Sequence, residues 1–331
     1  MPHGERAPLT DSALAVGVDI GGTTVSAGVV DPAGRVRRLT QSGTPLRQAE
    51  PREAEDAIVA AVRGVWDGPE VAIGVGAAGF VDVGGRIVRF APHVNWRNEP
   101  LADRLRARLG RPVLVENDAN AAAWAEYRFG AVREERRLLM LTLGTGIGGG
   151  LVYGGRVERG AHGMAGEFGH MNVVPGGRQC ECGNRGCWEQ YASGPALQRE
   201  ARERLLALAR PVTSWVRAGI DRPEAVTGEG VGELAQAGDP LAREVVAAVG
   251  TWLGRGVADL VAALDPGTVV VGGGVAQAGE LLLEPARAAL HSHLSGRGYR
   301  DHAPIVLASL GPRAGLVGAA DLARLAARAN S

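Results

Sequence analysis

ALAVGVDIGGTTVSAGVV, residues 13–30, holds two apolar runs joined by a glycine-rich turn. The first run, 13–18, reads as a strand that ends at Asp19. Ile20, Gly21, Gly22, Thr23 and Thr24 make the turn, and residues 25–30 form the returning strand. Glycine lets a backbone pass close to whatever lies beside Asp19, and phosphate oxygens cradled by backbone amides suit that place. A second copy follows at 137–153, where an apolar run leads through Gly144, Thr145, Gly146, Ile147 and Gly148-Gly149-Gly150 into a returning strand. We read an internal duplication of a strand, glycine turn, strand unit, with two lobes offering amides toward one cleft. A third member is expected at Val269-Val270-Val271-Gly272-Gly273-Gly274, between helices at 240–264 and 280–294.

The segments between these copies alternate in period. Residues 50–65 predict an amphipathic helix, 71–75 a strand, 76–79 a glycine loop, 99–109 a helix and 113–115 a strand. Glu116, Asn117 and Asp118 then precede an alanine-rich helix opening at Ala119. Alternating strands and helices imply an α/β fold with a mainly parallel sheet, whose ligands gather at the carboxyl ends of its strands. We expect a flexible stretch at 1–12, an N-terminal lobe at 13–130 and a C-terminal lobe at 131–313, with a helix at about 314–327 packing back on the first lobe.

With 331 residues, 45% of them hydrophobic, the chain is long enough for two ordinary cores. Its 36 basic and 36 acidic residues cancel, which removes the global electrostatic case for a nucleic acid or an anionic membrane surface. No continuous apolar run approaches the roughly 20 residues needed to span a bilayer, and the opening MPHGER lacks the apolar core of a secretory signal. A cytoplasmic location is expected, with no membrane and no nucleic-acid partner.

All three cysteines, Cys180, Cys182 and Cys187, fall in one short stretch with His170. One imidazole and three thiolates can close a tetrahedral Zn²⁺ site, and the odd cysteine count with the tight Cys180-Glu181-Cys182 spacing argues against a disulfide. Four protein ligands leave no open position for water, so the expected zinc is structural: it cross-links a Gly-rich, charged loop at 175–185 that has little core of its own.

The repeated glycine turns favour phosphoryl transfer. No Walker A pattern occurs, and Gly21-Gly22 runs into a strand where a dinucleotide fingerprint would start a helix. Asp118, between a strand end and a helix start, is the first choice for a catalytic base that accepts a proton from a bound hydroxyl, although Asp and Asn there also suit a helix N-cap. A second carboxylate at Asp19 would repel incoming phosphates unless a divalent cation intervened, so Mg²⁺ carried with ATP is expected beside it; a plain hairpin hydrogen-bond role is the other reading. Glu167, His170 and Glu189 form a polyol-binding edge or supports for it. One His170 nitrogen would ligate zinc while the other meets a ligand oxygen.

At Asp19-Ile-Gly-Gly-Thr23, Glu116-Asn-Asp-Ala-Asn-Ala-Ala122, Leu143-Gly-Thr-Gly-Ile-Gly-Gly149, Gly166-Glu-Phe-Gly-His170 and Cys180-Glu-Cys-Gly-Asn-Arg-Gly-Cys-Trp-Glu189 the chain closely resembles the ROK family of sugar kinases and repressors, and within it the actinobacterial glucokinases. The resemblance implies an actin-like (ribonuclease H-like) two-lobed sugar kinase fold with a zinc-bound loop. It implies ATP-dependent phosphorylation of the 6-hydroxyl of glucose, with Asp118 as general base. Gly79, Asn117, Asp118, Glu167, His170 and Glu189 become sugar contacts. Asp19, Gly21, Gly22, Thr23, Gly144, Thr145 and Gly146 become phosphate contacts, and Gly272, Gly273 and Gly274 lie near the nucleoside. A homodimer or homotetramer is implied as well. Thr24 stands where many relatives carry lysine, and His93 stands where asparagine is commoner, which bears on sugar preference. The competing readings are a kinase for another hexose or an N-acetylhexosamine, polyphosphate as donor, and a sugar-sensing regulator.

Overall fold

The computed structural model describes residues 14–21, 24–43, 50–68, 71–91, 94–133, 135–208 and 212–329. Gly22, Thr23 and His93 lie outside the described residues. In chain order come β1 (Ala15–Ile20), β2 (Thr24–Val30), β3 (Val36–Gly43), α1 (Pro51–Val65), β4 (Ala72–Ala77), β5 (Phe80–Val81), β6 (Val88–Ala91), β7 (Trp96–Glu99), α2 (Leu101–Leu109), β8 (Val113–Asn117) and α3 (Asp118–Phe129). Then follow β9 (Arg137–Leu143), β10 (Ile147–Tyr153), β11 (Arg156–Val157), α4 (Glu189–Ala192), α5 (Gly194–Leu206), α6 (Thr213–Arg217), α7 (Gly228–Gln236), α8 (Pro240–Leu264), β12 (Thr268–Gly272), α9 (Glu280–His293), β13 (Ile305–Leu307) and α10 (Ala314–Ala329).

The chain divides into two compact units, one of Met1–Arg136, Gly150–Gly166 and Ser309–Ser331, the other of Arg137–Gly149 and Glu167–Ala308. In the first, a five-stranded sheet has the order β3-β2-β1-β4-β8, with β1–β2 and β2–β3 antiparallel and β1–β4 and β4–β8 parallel. The second sheet runs β11-β10-β9-β12-β13, with β9–β12 and β12–β13 parallel and β10–β11 antiparallel. Each order places a first strand centrally, its hairpin partners to one side and two later parallel strands to the other. The duplication therefore extends beyond the glycine turns to a whole sheet.

This arrangement corrects the third glycine member. β12 pairs in parallel with β9 and β13 and corresponds to β4, not to a hairpin strand. Its glycines lead into a 3₁₀ turn at Val275–Ala278 with no returning strand, because a parallel neighbour needs a crossover connection. The helix expected from residue 99 begins at Leu101, since Glu99 ends β7 and Pro100 holds the residue before it in extended backbone.

Small residues set the first unit's packing. Gly17 and Gly74 are paired across β1 and β4, and a Cβ on either would run into the α10 backbone at the Leu316 or Ala319 carbonyl. On α10 itself, Gly318 lies against the Ala121 carbonyl of α3. Helix α10 thus sits within backbone contact of both the sheet and α3. Gly150 explains why residues after it cluster with this unit, since its Cα faces Ala119 O and Ala123 of α3 at distances that exclude a side chain (2.6 and 2.7 Å from an ideal Cβ). Opposite, α1 buries Ile58, Val59, Val62 and Val65 on a core shared with β1, β4 and Trp96.

In the second unit, caps mark the helix starts. Ser193 begins α5, Thr227 accepts from Gly230 N (3.0 Å) to begin α7, and Asp239 accepts from Ala242 N (2.9 Å) ahead of Pro240 in α8. By length and composition α8 could cross a membrane, yet Val245, Val246, Val249, Leu253, Val257 and Val261 on it are buried inside the protein. It is the core helix of its unit.

Candidate active site

In the first unit three parallel strands end side by side. Asp19 of β1 is in register with Gly76 of β4, and Gly76 with Glu116 of β8; one step on, Ile20, Ala77 and Asn117 align. Gly76 leaves no side chain in the row. An ideal Cβ there would lie 3.5 Å from Asp19 Oδ1 and 3.7 Å from the Asp118 Cα, so the two aspartates approach one another across it. Burial pushes the Asp19 carboxyl up to about 7, and the charge of Asp118 adds to the effect.

Asn117, not Asp118, caps α3: its Oδ1 accepts from Asn120 N at 3.0 Å, and its Nδ2 donates to Gly79 O at 3.2 Å. Asp118 is thereby the first residue of the helix, its Oδ1 accepting from Ala119 N at 2.9 Å. Behind them Glu116, 3% exposed, accepts from Asn117 N (3.0 Å) and Asn120 Nδ2 (3.2 Å) with one oxygen, and its other oxygen takes Arg159 Nη2 at 2.5 Å and Nε at 2.8 Å. Arg159 was invisible to sequence reasoning, because a lone arginine in a loop carries no pattern.

The second unit holds the other glycine turn and the His/Cys cluster. Gly144 N donates to Gly146 O (3.0 Å), closing the turn between β9 and β10, and Gly144 O accepts from Gly194 N (2.8 Å). Gly144 and Thr145 line a cavity of about 800 Å³ with the start of α5, the face of α7 carrying Gly228 and Gly232, and Gly274. Among the described residues no lysine or arginine lines it. Gly272 and Gly273 do not reach this wall: Gly272 packs on Met140 and Ala308, and Gly273, at φ +89°, lies against the Leu143 backbone. Helix α7 escaped the sequence reading, although Thr227 with Gly230 is a cap signal and Gly228 and Gly232 are one turn apart.

The ligand atoms of His170, Cys180, Cys182 and Cys187 all lie within 4.8 Å of one another. Cys182 Sγ to Cys187 Sγ is 3.6 Å, and Cys180 Sγ to His170 Nδ1 is 3.7 Å. A tetrahedron with metal–sulfur bonds of about 2.3 Å has edges of about 3.8 Å, so these separations fit one zinc-sized ion. Burial, with the bond to Glu189, drives the Cys180 thiol up, and burial with the bond to Cys182 raises Cys187. Burial also opposes ionisation of Cys182, but hydrogen bonds from the Asn184 backbone and the neighbouring thiols outweigh it and lower its pKa. His170 presents Nδ1 to the cluster and Nε2 toward Glu167, whose Oε2 is 4.0 Å away; Glu189 Oε1 lies 3.7 Å from Nδ1. The three polar groups expected on one edge are therefore neighbours.

The sequence profile described as ROK family matches residues 15–326. The chain belongs to the ROK family. A glucokinase of Streptomyces coelicolor is 46% identical over 312 residues, 94% of this chain and 98% of that protein. The crystal structure of a ROK family glucokinase from Streptomyces griseus in complex with glucose and AMPPNP superposes with a TM-score of 0.87 at 47% identity, covering 95% of this chain and 100% of that one. A ROK hexokinase from Thermus thermophilus gives a TM-score of 0.72 at 38% identity, over 96% and 99% of the two chains. This member has the family's α/β, actin-like, two-lobed kinase fold and carries a His/Cys cluster able to hold a metal.

Proposed function

We propose that the protein is an ATP-dependent glucokinase that transfers the γ-phosphoryl group to the 6-hydroxyl of glucose. The observation that carries this reading is Asp118 at the first turn of α3, relieved of the capping task by Asn117 and set at the carboxyl end of β8. There its carboxylate accepts the proton of the attacking hydroxyl, the oxygen made nucleophilic attacks the γ-phosphorus, and the bond from that phosphorus to the β,γ-bridging oxygen breaks as ADP leaves. Likeness at 46–47% identity to proteins named glucokinase supports glucose as the acceptor.

Gly79, Asn117, Asp118, Glu167, His170 and Glu189 serve as sugar ligands. Paired donors and acceptors at fixed positions discriminate among adjacent hydroxyls, and an analogue lacking one of them leaves a buried group unpaired. Gly21 with Gly22 and Thr23, and Gly144 with Thr145 and Gly146, form the turns that face the phosphates: the Gly21 and Gly144 amides close them on Thr24 O and Gly146 O, and the amides that follow serve the phosphate oxygens, while Gly274, with Gly272 and Gly273 behind it, borders the nucleoside. A cavity of about 800 Å³ whose described lining is neutral apart from Glu229 and Glu233 suits a nucleoside better than the continuation of a polyanion, which favours ATP over polyphosphate.

Asp19, close to Asp118 and reluctant to ionise alone, fits a Mg²⁺ partner, since a divalent cation compensates two neighbouring carboxylates. When bound with ATP, Mg²⁺ neutralises charge developing on the transferring group. His170, Cys180, Cys182 and Cys187 would hold structural Zn²⁺, which cross-links the loop that carries Glu189. The two sheets of like order fit a duplicated ribonuclease H-like unit in two lobes, about 13–130 with the last helix and about 131–313. The enzyme works in the cytoplasm as a homodimer or homotetramer, with neither membrane nor nucleic acid as partner.

The test is ADP formation with glucose, N-acetylglucosamine, N-acetylmannosamine, mannose and fructose as acceptors, and with ATP or polyphosphate as donor. Glucose with ATP should give the highest kcat/KM. Activity confined to another sugar, or to polyphosphate, would overturn the assignment.

A further inference from the structure

The geometry points to a second task for the His/Cys metal cluster: it clamps the glycine turn at residues 144–146 in the shape that receives donor phosphates. This rests on the reading of that turn as the phosphate site. Two of the segments that bear metal ligands, those of His170 and Cys187, touch the turn or the residue after it.

His170 belongs to the 3₁₀ turn Phe168–His170. Gly169 in its middle is buried and lies flat on Ile147, the residue that follows the turn, where a Cβ would strike the Ile147 carbonyl. Cys187 leads the other segment. Trp188 after it is fully buried: its amide donates to Met171 O at 2.8 Å, its indole Nε1 donates to Trp252 O at 2.8 Å, and its ring lies on Gly256 of α8. The backbone at 188 is thereby pinned to the His170 segment on one side and to the core helix on the other.

One residue further, Glu189 starts α4, and its Oε2 fills the place that a Cβ on Gly146 would occupy. Just beyond α4, Gly194, the first residue of α5, donates its N–H to Gly144 O at 2.8 Å. The turn is thus buttressed at Gly144 and Gly146 by the Cys187 segment and at Ile147 by the His170 segment. An ion bonded to both segments fixes their separation. Without it, the two segments keep their backbone hydrogen bonds, Trp188 N to Met171 O at 2.8 Å and Val173 N to Gly186 O at 2.9 Å, but lose the cross-link between the His170 and Cys187 side chains, and amides aimed at phosphate oxygens lose their alignment.

The experiment measures affinity, not turnover. AMPPNP with Mg²⁺ is titrated calorimetrically, without sugar, into protein carrying one equivalent of Zn²⁺ and into protein stripped by a chelator, with near-ultraviolet circular dichroism reporting whether the stripped chain keeps its tertiary structure. Nucleotide affinity should fall about tenfold on stripping and return when Zn²⁺ is restored. Unchanged nucleotide affinity, with glucose affinity alone reduced, overturns the clamp. If the stripped chain unfolds, a cycle on metal-loaded protein decides. Gly146→Ala should weaken AMPPNP binding, and adding Glu189→Ala, which vacates the same space, should restore much of it. Additive losses overturn the proposal. Failure of metal-loaded wild type to bind AMPPNP at all would instead strike the phosphate-site reading.

Discussion

Asn117 Oδ1 takes the amide hydrogen of Asn120 at 3.0 Å, so the helix is capped one residue before Asp118. That division of labour separates two roles a sequence reader must leave superposed, and it lets the catalytic assignment be tested without dismantling the helix. Asp118→Asn keeps the shape and the cap but lacks a proton-accepting carboxylate. We predict a fall in kcat of about 10²–10⁴-fold, with glucose affinity by calorimetry nearly unchanged. Turnover near that of wild type would remove Asp118 from the mechanism.

Asp19 should impose a pH dependence. Its carboxyl is raised from 3.8 to about 7, first by burial and then by Asp118, so between those values the folded chain holds a proton the unfolded chain has released. Stability therefore declines as pH climbs through that window, and the contribution is fully present only below it. Mg²⁺ competes with the same proton, so Mg²⁺-nucleotide affinity should rise as pH passes from 6 to 8. In Asp19→Asn both slopes should flatten, as read by urea denaturation and calorimetry at several pH values. Unaltered slopes would show that another group titrates.

Glu116 and Arg159 form a largely buried pair behind the asparagines that face the site. Arg159→Ala leaves the Glu116 carboxylate without its cation while Asn117 and Asn120 still donate to it. Removing one partner of a buried pair costs about 3–5 kcal/mol, and the part exposure of Arg159 places this variant toward or below the low end. Denaturant midpoints check the stability, and KM for glucose should rise with it, because Asn117 depends on Glu116 for its orientation.

Gly318→Ala tests the crossing of α10 over α3. The added methyl meets the Ala121 carbonyl, a backbone atom that cannot rotate away. We predict destabilisation of about 1–3 kcal/mol or more by thermal unfolding. Gly110→Ala, at φ +66° but with open space around it, should cost less, about 1 kcal/mol.

Cys182→Ser removes an exposed ligand from the His/Cys cluster. Metal content measured on the purified chain should drop below one equivalent, and the thermal midpoint should fall with it. Full metal content in the variant would show that the cluster is not the binding site.

Much of this architecture is legible in the sequence, for physical reasons. Residues 15–20 and 24–30 are apolar on both faces because helices cover the sheet, and that continuous apolar run is what marks such a strand. Arg137–Leu143 and Pro240–Leu264 are bounded by turn or cap residues that fix their limits. Strand β3 was missed because most of its eight residues are exposed, so VRRLTQSG has no period-2 apolar face and owes its form to pairing with β2. The two-residue strands β5 and β11 are too short for any pattern. At the site, Asp118 and the glycine turns announce themselves through local spacing. Arg159 and the α7 wall act across 43 and about 80 residues of chain from Glu116 and Thr145, a distance that no local pattern records.

Helix α10 rests on β1 and β4 at Gly17 and Gly74, yet in the chain it follows the whole second unit. On the ribosome the opening sheet is therefore made long before the piece that covers it. Until synthesis passes residue 320 or so, apolar β1 and β4 stand bare on that side, a natural docking place for chaperones and a point of danger for premature termination. A chain cut within α10 should fail through aggregation of its earliest part, although every proposed ligand residue would already have been translated.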